Sequence, residues 1–246
     1  MLTQYQLLLS CETAVPPRAA WAYRLYAALL DRAPEGFGSL VHQDAHTPVS
    51  QFLRVREGGS LLWTVNLLGE TCEAALSGPL EALDRLRLDM QTELSVRERR
   101  KRWIGDADAL FSLAERGGQL HRLAFGTPTA FKSRKRYQNL PTSRLVLQSL
   151  IRKWNSCIPD RPMPETEDEA LEELAAGLVC RSFQLQDSTF FLKGNAIPGF
   201  TGSILFENLL TGAQGLRVDA LLHFAPFSGV GIKTALGMGG VARIPH

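Results

Sequence analysis

Apolar and polar side chains alternate in several short stretches of the chain and recur at helical spacing in others. Alternation predicts strands over residues 2–9, 50–56, 60–68 and 88–97, with a glycine turn making the middle two a hairpin. Helical spacing after a proline pair predicts a helix over 19–30, and a second one over 72–86 with Pro79 as its expected start. The order β-α-β-β-α-β is the split unit of ferredoxin-like folds.

A similar order follows in the second half of the chain. Strands are predicted over 120–125, 179–192, 199–207 and 241–244, and helices over 142–154, 165–176 and 216–225. No repeat of individual residues is visible, so the duplication rests on the element order alone. We therefore expect an α+β protein made of two ferredoxin-like halves, residues 1–115 and residues 116–246.

Composition favours a soluble protein with a substantial core. The chain has 246 residues, of which 45% are hydrophobic and 21% charged. No apolar run reaches the roughly 18 residues that span a bilayer, and the N-terminus lacks the pattern of a signal peptide. The four cysteines are scattered without a C-x-x-C pair, which argues against a zinc knuckle or a disulfide scaffold. A cytoplasmic location fits best.

The net charge is only +2, but the basic residues are clustered. One run lies within residues 97–102, and a second comprises Lys132, Arg134, Lys135 and Arg136, next to Tyr137. Cations beside aromatic rings suit phosphate contact and base stacking, as a polyanionic partner requires. The alternative is that each run forms a solvated face.

Glycines are concentrated near the end of the chain, in the segment 228–240, which we call the glycine loop. The spacing is G-h-G, five residues, then G-h-G, with a lysine in the interval. Glycine suits positive φ and close backbone approach, and successive amides with a cation suit a phosphate. The candidate phosphate-contacting residues are Gly229, Gly231, Lys233, Gly237 and Gly239.

Mononucleotide and dinucleotide sites do not fit this spacing. No glycine immediately precedes Lys233, as a P-loop requires, and Thr234 stands where a dinucleotide motif has its third glycine. A plain tight crossing into the last strand remains the alternative.

Four ordered segments resemble those of the CRISPR repeat-processing endoribonucleases. They are the glycine loop, GFTGSI at residues 199–204, FGTPTAF at 125–131, and LVH at 40–42 followed by TPVS at 47–50. The resemblance implies two ferredoxin-like halves with an RNA-binding cleft between them. It also implies cleavage of CRISPR precursor RNA within repeats, without a metal or other cofactor. In that reaction the 2′-OH attacks the adjacent phosphate, leaving a 2′,3′-cyclic phosphate and a 5′-OH.

The resemblance also suggests catalytic residues. His42 falls on the family's histidine position, and His46 is the alternative; histidine titrates near working pH and suits an acid or base. Tyr26 matches a tyrosine that some members carry on the first helix. The lysine of those members has no match, so Arg54, Arg56 or Lys233 is left to stabilise the transition state.

Two rival interpretations were considered. A metal site at His42, Asp44 and His46 is disfavoured, because the segment lacks a helix and further nitrogen or sulfur ligands, so no metal is expected. A non-catalytic RNA-binding subunit of a CRISPR effector complex would share the fold and the loop. CRISPR repeat RNA is therefore the expected partner, with effector subunits and a second copy of the chain as further candidates, and no membrane.

Overall fold

The alternating side chains of the first strand divide between the core of the first half and a face that packs toward the second half. In the computed structural model, which describes residues 1–12, 16–43, 47–164 and 168–244, Tyr5, Leu7 and Leu9 are almost fully buried in the core that the helices of the first half cover. The elements of this half are β1 (Leu2–Glu12), a 3-10 turn (Ala19–Trp21), α1 (Ala22–Leu30), α2 (Phe37–Gln43), β2 (Val49–Val55), a second 3-10 turn (Glu57–Gly59), β3 (Leu61–Leu68), α3 (Glu70–Glu81), β4 (Arg85–Asp89) and β5 (Thr92–Gly105).

The second half repeats this plan after a linking helix. Its elements are α4 (Ala107–Arg116), β6 (Leu120–Thr129), β7 (Phe131–Ser133), β8 (Arg136–Gln138), α5 (Ser143–Cys157), α6 (Asp168–Gly177), β9 (Leu178–Leu192), β10 (Asn195–Asn208), α7 (Gly212–Ser228), a 3-10 turn (Thr234–Leu236) and β11 (Val241–Ile244). Helix α5 begins where the Thr142 hydroxyl accepts a hydrogen bond from the Leu145 amide at 3.2 Å, as a threonine N-cap does.

The strand orders of the two sheets confirm the tandem ferredoxin-like fold. The first sheet has the order β2-β3-β1-β5-β4 and the second β11-β6-β10-β9, with antiparallel neighbours throughout. When the four main strands of each half are numbered along the chain, both sheets have the order 4-1-3-2. Strand β4 is an additional edge strand of the first sheet.

Helix α4 joins the halves and packs into the second core. Leu110, Trp154 and Phe224 are all fully buried in the same cluster, which also contains most of the apolar side chains of α5 and α7. The expected boundary between residues 115 and 116 falls at the end of this helix and remains a prediction.

Several local expectations were wrong. A helix, α2, occupies residues 37–43, where a turn was expected. Helix α3 begins at Glu70 and includes Pro79, because Leu76 and Leu80 on either side of the proline are both fully buried and their packing outweighs the lost hydrogen bond. Strand β4, helix α4 and the small β7–β8 hairpin were not predicted at all.

The basic run of residues 97–102 does not form one surface. Successive side chains of the strand point to opposite faces. Lys101 forms ion pairs with Glu73 and Glu81, at 3.4 and 3.0 Å, whereas Arg102 lies over the Phe227 ring. Arg99 donates to the Leu83 carbonyl. Each charge therefore serves a separate local contact. No helix within the described ranges is long and apolar enough to cross a membrane.

Candidate functional site

The glycine loop lies between α7 and β11 and closes on itself and on the end of β6. The Val230 amide donates to the Gly239 carbonyl at 2.9 Å, and the Gly239 amide donates to the Pro128 carbonyl at 3.1 Å. The Ile232 amide donates to the Ala130 carbonyl at 2.9 Å. The loop is therefore bound to the FGTPTAF segment that the sequence singled out separately.

Close packing explains why glycines recur in the loop. Gly231 has φ +87°, and a Cβ there would stand 2.3 Å from the Ala130 carbonyl oxygen. Gly237 has φ +109°, and a Cβ there would stand 2.5 Å from the Cβ of Ala22 on α1. Both positions combine a left-handed backbone with a neighbour too close for any side chain.

The amides of four loop glycines are engaged within the protein, including that of Gly240, which donates to the Thr127 hydroxyl at 2.9 Å. Gly229 donates to the Ala225 carbonyl at 2.9 Å, and Gly231 donates to the Ser149 hydroxyl at 2.7 Å. Gly239 donates to Pro128, as described above. In this conformation the loop offers its neighbours a shaped backbone surface and the side chain of Lys233.

The first half of the molecule is fastened to the loop by buried polar groups of β2. The Gln51 amide donates to the Ala22 carbonyl at 3.0 Å and to the Ala235 carbonyl at 2.9 Å. The Ser50 hydroxyl donates to the Phe227 carbonyl at 2.5 Å, at the end of α7. On β10, a Cβ at Gly199 would stand 2.7 Å from the Thr129 carbonyl oxygen. All four segments of the resemblance thus meet around the loop.

A cleft of about 690 Å³ opens beside the loop, where α1 of the first half faces α5 of the second. Its five cations come from four separate places in the second half of the chain: Lys132, Arg152 with Lys153, Lys193 and Lys233. None of the described residues that line it is an aspartate or a glutamate. Such a surface concentrates positive potential and attracts a polyanion. We call this cavity the basic cleft.

Tyr26 lies in the wall of the basic cleft and is 4% exposed. Its hydroxyl has no hydrogen-bond partner among the described residues. Burial, with a smaller effect from the Cys72 thiol, raises the pKa of Tyr26 far above its ordinary value. The phenol therefore stays protonated at physiological pH and is equipped to donate a hydrogen bond.

His42 lies on helix α2, directly after a residue of the cleft wall. The preceding residue, Val41, is buried and lines the cleft, and Thr47 lines it on the far side of the segment. The structure describes His42 through its helix only, and His46 and Asp44 lie outside the described residues. Within the described ranges, no three histidine, cysteine, aspartate or glutamate side chains are placed to hold a metal ion.

The second basic run is divided between two places. Lys132 lines the basic cleft, together with Gly229, Gly231 and Lys233. Arg134 and Lys135, with φ +48° and +66°, form the turn between β7 and β8. Arg134 and Arg136 line a separate shallow depression with Ser133 and Gln138. Arg54, one of the expected transition-state cations, lies over Gly126 of β6 and does not line the basic cleft.

Sequence reasoning missed three cleft cations, Arg152, Lys153 and Lys193. Lys153 is 7% exposed, and its ammonium donates to the Thr47 carbonyl of the other half. A signal was available, since residues 146, 150, 153 and 157 lie on one stripe of α5 and a lysine interrupts it. A lysine on an apolar stripe either reaches a buried acceptor or indicates a site.

Comparison with known proteins agrees with this geometry. The model of the family described as CRISPR-associated endoribonuclease Cas6 matches residues 123–241. The chain is 29% identical over 230 residues to the CRISPR-associated endoribonuclease Cas6 of Streptococcus thermophilus, and the match covers 92% of each protein.

Solved structures of the same family match nearly the whole chain. A Cas6 product complex has a TM-score of 0.78 and 27% identity, covering 99% of both chains. A Cas6 variant with a histidine replaced by alanine has a TM-score of 0.73 and 26% identity, with the same coverage. The family model, the curated relative and the solved structures all support the CRISPR repeat-processing endoribonuclease family for this chain.

The similarity to this family agrees with the common location of the four segments. The family model begins on β6 and ends on β11, so it includes the FGTPTAF segment and the glycine loop. The segment that carries His42 lies outside that range and is covered by the whole-chain matches. The tandem ferredoxin-like fold expected from the sequence is confirmed.

Proposed function

We propose that this protein is a metal-independent endoribonuclease that cleaves CRISPR precursor RNA within its repeats. The 2′-OH of one nucleotide attacks the adjacent phosphate, and the products carry a 2′,3′-cyclic phosphate and a 5′-OH. The observation that carries the proposal is the basic cleft, which is lined by residues of both halves. Its five cations all come from the second half, and its described lining has no carboxylate. A Cas6 of the same fold has been solved as a product complex.

The residues around the cleft suit this reaction. It needs a base for the 2′-OH, an acid for the leaving 5′-oxygen, and cations for the charge on the phosphorane. We assign His42 as the acid or base, with His46 as the alternative. A histidine was also the residue replaced in the solved Cas6 variant. Tyr26 is a hydrogen-bond donor to the reacting phosphate, because its buried hydroxyl is protonated and unpaired among the described residues.

RNA binding is assigned to two adjoining surfaces. Lys132 and Lys233 contact phosphates inside the basic cleft, and Gly229, Gly231, Gly237 and Gly239 shape the loop that bounds it. Arg134, Lys135 and Arg136 on the β7–β8 hairpin contact the RNA backbone outside the cleft. Because phosphate contacts release counterions, binding weakens steeply as salt is raised.

The decisive experiment compares cleavage by the wild type and by His42→Ala, using repeat RNA from the same host in the presence of EDTA. We expect the wild type to cleave and the variant to lose at least about 100-fold in single-turnover rate, the usual contribution of an acid or base. Affinity is measured separately with RNA that carries a 2′-deoxy nucleotide at the cut, and it should change little. Ser39→Ala, at an exposed position on the same helix, is the matched control.

Each other outcome has a definite meaning. Full cleavage by His42→Ala together with loss in His46→Ala moves the role to the second histidine. Tight binding without cleavage by the wild type indicates the alternative function, a non-catalytic RNA-binding subunit of an effector complex. Loss of wild-type activity in EDTA, restored by a divalent cation, contradicts the metal-independent mechanism.

A further inference from the structure

The β9–β10 hairpin reaches from the second half across to α1 of the first. Lys193 and Gly194, with φ +50° and +80°, form its turn. Three buried side chains near the turn, Phe190, Leu192 and Ile197, make a small separate core with Met238 of the glycine loop. Tyr23 of α1 packs against this core. The hairpin tip is therefore fixed at one end of the basic cleft.

Tyr23 and Lys193 form a pair at this end of the cleft. The Lys193 ammonium lies 5.0 Å from the centre of the Tyr23 ring, and both residues line the cleft. Tyr23 is half-buried against the small core, and the side chain of Lys193 is exposed. One side of the ring is supported by the small core, and the exposed ammonium of Lys193 lies over the ring.

We propose that Tyr23 and Lys193 form a nucleotide subsite, in which one unpaired base of the RNA stacks on the Tyr23 ring and the Lys193 ammonium binds the adjoining phosphate. The proposal rests on the proposed function, since it requires RNA in the basic cleft. A base stacked on an aromatic side chain raises affinity roughly tenfold to hundredfold, whereas an exposed cation–π contact contributes only about threefold to fivefold. The base therefore displaces the ammonium, which remains within reach of the phosphate.

The subsite lies beside the assigned site of cleavage. Tyr23 and Tyr26 are three residues apart on α1, which places them on one side of the helix and about 5 Å apart along its axis. A nucleotide next to the one at Tyr26 is therefore within reach of Tyr23. The bound base is consequently one directly next to the cut, and it must be unpaired because pairing within a duplex would cover its faces.

The test uses a non-cleavable repeat RNA with a 2′-deoxy nucleotide at the cut and 2-aminopurine placed in turn at each flanking position. Stacking on tyrosine quenches the fluorescence of this base. We expect one position to be quenched by the wild type and by Tyr23→Phe, and the quenching to be lost in Tyr23→Leu, which keeps an apolar side chain against the small core. Phe191→Ala, at an exposed aromatic position of the same hairpin, is the matched control and should keep the quenching.

Lys193→Met tests the phosphate contact. We expect it to weaken binding about threefold to tenfold at low salt and to reduce the slope of log affinity against log salt by about 0.7, the value for one contact with a single strand. Arg85→Met, on β4 at the far edge of the first sheet, should leave the slope unchanged.

The outcomes separate the subsite from the proposed function. If the wild type binds and cuts repeat RNA, but no position shows quenching that depends on Tyr23, the subsite is overturned. A quenched position with an unchanged salt slope in Lys193→Met overturns the role of the lysine. If the wild type does not bind repeat RNA at all, the proposed function has failed, and that result is visible without any variant.

Discussion

At the scale of single residues, burial sets the protonation of groups in the site and in the core. It keeps Tyr26 a neutral donor in the cleft wall, as described above. It acts in the opposite sense on His223 of α7, whose pKa it lowers to about 4, helped by the positive charge of Arg243 and opposed by Asp219. The Nε2 atom of His223 has no hydrogen-bond partner among the described residues. This histidine is therefore neutral in the folded protein.

His223 makes stability depend on pH. Its folded pKa of about 4 lies below the ordinary value near 6.5, so the unfolded chain binds the proton more readily. The contribution of His223 to the free energy of unfolding is therefore complete above pH 6.5 and is lost as the pH falls toward 4. Between pH 7 and pH 4.5 we expect the free energy of unfolding to fall by about 1–2 kcal/mol less in His223→Leu than in the wild type. This figure allows for the solvent that reaches the half-buried ring.

Urea unfolding at the two pH values measures this difference. If the free energy of unfolding depends on pH in the same way in the wild type and in His223→Leu, protonation of the ring has no consequence for folding.

At the scale of elements, the glycine loop shows how local conformation and packing act together. The glycine spacing could be recognised in the sequence, and so could its difference from nucleotide-binding motifs. The neighbours that require glycine could not be predicted, because the carbonyl of Ala130 and the Cβ of Ala22 lie about 100 and 200 residues away in the chain. Local patterns carry no information about which distant strand approaches so closely.

Gly231→Ala should destabilise the protein and weaken RNA binding. The new Cβ would stand 2.3 Å from the Ala130 carbonyl oxygen, in addition to the strain of positive φ, so we expect a loss of about 2–4 kcal/mol in the free energy of unfolding. Gly36→Ala is the matched control, because Gly36 has φ +84° with open space around it and reports the backbone strain alone. Equal losses in the two variants would mean that the loop tolerates the displacement.

At the scale of the whole molecule, the site exists only where the halves meet. α1 and α2 come from the first half, while α5, the β9–β10 hairpin and the glycine loop come from the second. Gln51 and Lys153 are buried, and each donates a hydrogen bond across this boundary. The relative position of the halves is therefore part of the site.

Lys153→Met tests this coupling. The change keeps the length of the side chain but leaves the Thr47 carbonyl without that donor, so we expect a loss of about 1–3 kcal/mol in the free energy of unfolding. Arg152→Met, at the next and exposed position, should cost less than about 0.5 kcal/mol. Urea unfolding of the two variants measures the difference, and equal stabilities would exclude a stabilising role for the bond across the halves.

The sequence by itself determined the order of elements, the tandem ferredoxin-like fold and the glycine loop, because alternation, helical spacing and glycine content are properties of neighbouring residues. Through a resemblance it also indicated His42 and Tyr26, although their roles remain proposals. The tertiary structure alone decided which cations share the basic cleft. Arg152, Lys153 and Lys193 lie far from the loop in sequence, and the basic run on β5 was dispersed by strand alternation. Spatial convergence of separate segments depends on how the two halves pack, which no short stretch of the chain encodes.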